Sequence, residues 1–104
     1  MRRPPAVLSA LALAAGCGGG SDDGERERAI AAAHVAYEEA AAAGQDFAAG
    51  PCLGVVMENW VADVAHDPRQ EVDDRPENQC EAYRSGEAEH FVELDPEGEL
   101  IRAE

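Results

Sequence analysis

The sequence predicts an α+β domain in which one N-terminal helix packs on a three- to four-stranded antiparallel sheet. Three observations lead there. Residues 25–43 read "ERERAIAAAHVAYEEAAAA", built almost wholly from strong helix formers. After Gly50-Pro51 the chain changes to short segments containing β-branched and aromatic residues, the composition of strands. Between two of these segments stands Asp95-Pro96-Glu97-Gly98. Pro96 presets φ at the second turn position, and Gly98 supplies the left-handed residue that closes a type I turn with a bulge.

Each element has a local reason. The helix over 25–43 has Asp22, Asp23 and Glu25 at its positive end and Gly44 at the C-cap position. Ile30, Ala33, His34, Tyr37, Ala40 and Ala41 recur at helical spacing, giving a shallow, alanine-rich face suited to close packing on a sheet. A short helical turn through Phe47 ends at Gly50-Pro51. Trp60 and the alternation of Val61, Asp63 and Ala65 predict a strand over about 59–66. "DPRQEVDDRPENQ", residues 67–79, has Val72 as its single hydrophobic residue and two prolines, and is expected as a long exposed loop. "CEAYR", "AEHFVEL" and "ELIRA" complete a meander, with Ser85-Gly86 as the first turn and Asp95–Gly98 as the second. This helix-then-meander order resembles cystatin-like and nuclear-transport-factor-like domains in architecture, and architecture does not specify function.

The chain opens differently. Arg2 and Arg3 precede Ala6–Ala15, a run that is apolar except for Ser9, which is the layout of a secretory signal peptide. As a helix this run spans about 15 Å against a hydrocarbon core of about 30 Å, too short for a mature anchor. Ala14-Ala15-Gly16 then lead directly into Cys17. The segment resembles the lipobox of bacterial lipoproteins, with Ala14 at the usual aliphatic position and Leu13 one place earlier. The resemblance covers the first 17 residues and implies cleavage before Cys17, a diacylglyceryl group on its thiol and acylation of the new amino terminus. The alternative is a secreted protein cut by the ordinary peptidase, with Cys17 free. Two or three acyl chains, at about 0.8 kcal/mol per buried CH2, hold a protein to a membrane where one is marginal. The organisation expected is a signal peptide over 1–16, lipidated Cys17 and a Gly/Ser/Asp tether over 17–24, and the α+β domain over 25–104.

Loss of residues 1–16 removes Arg2 and Arg3, leaving six arginines and no lysine against 22 acidic residues. So acidic a surface excludes nucleic acid as a partner, because phosphates need a basic face. With Cys17 assigned to lipid, Cys52 and Cys80 remain, and an even pair in an exported domain reads as a disulfide. Two free thiols or a metal pair are the alternatives, and no CxxC spacing supports the metal.

Chemistry-bearing groups are few. Ser85 is the only serine beyond the tether and no Gly-x-Ser-x-Gly surrounds it. His34, His66 and His90, with Asp67 and Glu89 beside two of them, form a candidate metal set without prescribed spacing, and His34 with Glu38 makes a one-turn pair. Asp67, Glu71, Asp73, Asp74 and Glu77 crowd the loop without the order of an EF-hand. Trp60 and Tyr83 are expected in the core, with an exposed recognition patch as the alternative. The function expected is a non-catalytic binding or interaction module without a cofactor, anchored at the extracytoplasmic membrane face through Cys17, for which an extracellular protein is a fitting partner. Divalent-cation binding through the histidines or the acidic loop, and inhibition of an extracellular enzyme by the loop 67–79, are the alternatives.

Overall fold

A computed structural model describes residues 21–104, with side chains from Gly24 onward. The expected signal peptide and Cys17 lie outside the described residues. Helix α1 runs Ser21–Ala42, so it begins within the segment expected to be tether and ends one residue before the expected boundary. Strands β1 (Cys52–Met57), β2 (Trp60–Val64), β3 (His90–Leu94) and β4 (Leu100–Ala103) form one sheet in sequential order. A five-residue helix α2, Glu81–Ser85, lies in the connection between β2 and β3.

The α+β class and the helix-on-sheet packing hold, but the sheet is mixed rather than antiparallel. β1–β2 and β3–β4 are antiparallel, while β2 and β3 run parallel, pairing Trp60 with His90 through Val64 with Leu94. Two corrections explain the difference. Cys80–Arg84, expected as a strand, is the N-cap and body of α2, so no strand returns the chain between β2 and β3. β1 takes the fourth place instead, and Glu58-Asn59 turns it into β2 with Asn59 at a left-handed φ of 72°. A parallel pair needs a long crossover, and residues 65–89 supply it.

The crossover covers one face of the sheet and α1 the other. On the α1 side, fully buried Ala29 and Ala33 lie against Trp60, Ala62, Val92, Leu94 and Ala103, with Ile30 and Tyr37 packed at the margin. Small side chains let the helix approach closely, as the alanine pattern predicts. Polar contacts fix its position: Trp60 Nε1 donates to Glu25 at 2.8 Å, Arg26 Nε to the Ala103 carbonyl at 3.1 Å, and the Tyr37 hydroxyl to the Pro96 carbonyl at 2.8 Å. The β3–β4 turn forms as expected, with the Gly98 amide bonding Asp95 O at 2.8 Å. Gly98 has φ 89°, and a Cβ there would lie 2.9 Å from the Tyr37 ring, so the turn requires glycine for both conformation and space.

The second face carries Val61, Cys80 and Ala88, with Cys52, Ala82 and Phe91 around them. The Cys52–Cys80 disulfide ties β1 to the start of α2, with Cα atoms 5.0 Å apart. The loop 67–79 is not simply extended into solvent. It forms two 3₁₀ turns, Glu71–Asp74 and Pro76–Asn78, and buries Asp73.

Candidate functional site

Strand alternation sends Trp60, Ala62 and Val64 towards α1 and Val61 and Asp63 towards the crossover. The parallel register then places Asp63 beside Glu93. Cys52, Asp63, Glu93 and Arg102 are successive register partners, a single row across all four strands. The two acidic residues within otherwise apolar strands therefore meet on the covered face, under the crossover.

Their surroundings differ. Glu93, 6% exposed, is fully engaged: Arg69 Nη1 donates to one oxygen at 3.0 Å and Arg102 Nε to the other at 2.9 Å. Arg69 also donates to Asp74 at 2.8 Å. Asp63 Oδ1 is buried and finds no hydrogen-bond partner among the described residues. Burial, then the Glu93 charge, push the Asp63 carboxyl up to about 7, against the smaller opposing influence of Arg69. Side by side on one face stand a doubly paired carboxylate and an unpaired carboxyl that ionises near neutrality.

A cavity of about 150 Å³ opens over this pair. Asp63 and Glu93 line it beneath Tyr83, Phe91 and Cys80, and Arg69, Gln79 and Arg84 complete it. Tyr83 and Phe91 meet edge to face with centroids 5.3 Å apart, and Arg102 lies 6.0 Å from the Phe91 centroid. Trp60 is buried as expected, whereas Tyr83 is 44% exposed because α2 carries it to the mouth of the cavity.

The candidate metal sets weighed as alternatives do not assemble among the described residues. His34 Nε2 contacts the Gly98 carbonyl at 3.1 Å, His66 Nδ1 contacts Asp73 at 2.9 Å, and His90 stacks on Trp60 with centroids 4.6 Å apart. Among the described residues no group of three or more His, Cys, Asp or Glu side chains is arranged to hold a metal ion. The loop carboxylates are largely structural: Asp74 pairs with Arg69, and Asp73 accepts from the His66 and Gln70 amides, both at 2.9 Å, as well as from the His66 ring. Burial opposes ionisation of Asp73, but the two amides and His66 outweigh it and hold the carboxyl below its usual range. Gly50 makes room for this cluster, since a Cβ there would lie 2.5 Å from Asp73 Oδ1. Ser85 closes α2 on the surface, its hydroxyl bonded to the Ala82 carbonyl.

The Cys52–Cys80 bond is legible in the sequence, whereas the Asp63–Glu93 pair is not. The signal was one acidic residue inside each of "WVADV" and "HFVEL", which a meander with one solvated face makes unremarked. No helix among the described residues is long and apolar enough to cross a membrane. Comparison with protein-family models, curated proteins and solved structures finds no match to this chain.

Proposed function

We propose that the protein is a non-catalytic binding module, held at the extracytoplasmic face of the cell membrane by acyl chains on Cys17, which receives a small ligand in the cavity between the sheet and α2. The observation that carries the binding reading is Asp63, a carboxyl without a hydrogen-bond partner at its buried oxygen among the described residues, in the wall of a ring-sized cavity. Buried polar groups are ordinarily paired, and a carboxyl left uncompensated in the wall of a pocket is a place where a ligand of matching charge completes the structure. The disulfide supports the exported location, because such bonds persist in oxidising compartments. The lipobox resemblance supports the anchor.

Catalysis has less support: Ser85 lies apart from any base that hydrogen-bonds to it, and both cysteines beyond the tether are joined. The loop 67–79 has less freedom as an inhibitory element than an extended loop would, because Asp73 ties it down. Two measurements test the proposal. Cys17→Ser shifts the protein from the membrane to the soluble extracytoplasmic fraction, and unchanged membrane retention refutes the anchor. Small organic solutes of varied charge raise the melting temperature when they occupy the cavity, and no shift with any of them refutes the binding reading.

A further inference from the structure

We infer that the cavity takes a small organic cation, a primary ammonium on an apolar body about one ring in size, with the ammonium against Asp63 and the body against Tyr83 and Phe91. The inference rests on the binding-module reading and names the ligand class of the same site.

The pairing of charges around the cavity selects the class. Facing Asp63 are Glu93 from β3, Arg69 and Asp73 from the crossover and Arg102 from β4, while α2 contributes Tyr83 and Arg84 to the lining. Arg69 and Arg102 are both engaged by Glu93, and Asp73 is satisfied by His66 and Gln70. Arg84, 47% exposed along its side chain, approaches Glu81 at 3.6 Å. Asp63 alone has no partner at its buried oxygen among the described residues. A ligand carboxylate would add a third anion beside Asp63 and Glu93. A neutral body would fill the cavity without compensating Asp63. An ammonium supplies both N–H donors and charge, and its carbon body meets aromatic walls that attract cations. Size agrees with this class, since an apolar cavity of about 150 Å³ accommodates benzene. As the cation binds, the Asp63 O–H bond breaks, its proton passes to water and the ammonium N–H groups take its place at the carboxylate.

Calorimetric titration of the full chain with benzylammonium, benzamide and benzoate, at physiological ionic strength, tests the inference. Benzylammonium is expected to bind most tightly. Its affinity rises by nearly tenfold per pH unit on the acid side and levels off at about pH 7, because the proton competes for Asp63. Asp63→Asn lowers that affinity by about tenfold or more and removes the pH dependence. Tyr83→Ala, at the exposed mouth, weakens binding of the same cation by about threefold to tenfold. Tighter binding of benzamide or benzoate overturns the cation assignment while leaving the module reading intact. Binding of none of the three overturns both. Benzylammonium binding unchanged in folded Asp63→Asn overturns the site.

Discussion

Replacing Asp63 with asparagine is expected to stabilise the protein in alkaline solution. Asparagine preserves the shape of the carboxyl and removes its charge. In the folded state Asp63 ionises at about 7 against an ordinary value of 3.8, because burial and Glu93 disfavour the anion. The native protein therefore binds more protons than the unfolded chain between these two values, and stability falls as pH rises through that window. At about 1.36 kcal/mol per unit, a difference of roughly three units corresponds to about 4 kcal/mol lost by about pH 8. Below about pH 3 both states are largely protonated and the loss is absent. Asparagine recovers the part of this loss due to charge, about 2–4 kcal/mol, which for a domain of this size raises Tm by about 10 °C or more. Thermal and urea unfolding followed by circular dichroism across the acid-to-alkaline range measures the difference. Variant and parent curves should diverge with rising pH and be close together in acid. Parallel curves, or an asparagine variant less stable at alkaline pH, refute the reasoning.

Asp73 has the opposite sign. Its depressed pKa contributes stability that is present above about 4 and is lost as pH falls through the lower folded value, so Asp73→Asn flattens the acid limb of the same unfolding profile. Asp73→Ala leaves the His66 and Gln70 amides without their acceptor, and denaturant unfolding should show a loss of about 2–4 kcal/mol. Removing the disulfide as Cys52→Ala with Cys80→Ala costs about 3.5 kcal/mol for a separation of 28 residues, read from the urea midpoint and m-value. Gly50→Ala, at φ 69° and with its new Cβ against Asp73, lowers stability by about 1 kcal/mol or more in the same assay.

The parts of the fold legible in the sequence are those where local chemistry and tertiary context agree. The alanine-rich helix, the Asp95–Gly98 turn and the strands around Trp60, Phe91 and Ile101 are of this kind. β1 was not legible, because Gly50-Pro51 precedes it and Gly54 interrupts its alternation with a register shift at the sheet edge. Val55, 63% exposed on this strand, gives no burial pattern to recognise. The five residues Glu81–Ser85 are too short to display helical periodicity, and Ser85-Gly86, which reads as a hairpin turn, instead closes α2. Those two misreadings together conceal the parallel pair. The candidate site depends on that pair, since only the parallel register brings Asp63 and Glu93 together under the crossover. Cys52 and Cys80 are legible as a bond by elimination, but the sequence does not reveal that their bond stands at the border of a cavity.

The most direct measurement is the titration of the Asp63 side-chain carboxyl carbon by NMR, with and without saturating benzylammonium. The free protein should titrate at about pH 7, and the cation should move that midpoint down towards the ordinary carboxylate range. A free midpoint near 4, or a midpoint that the cation does not move, contradicts an uncompensated carboxyl waiting for a positively charged ligand.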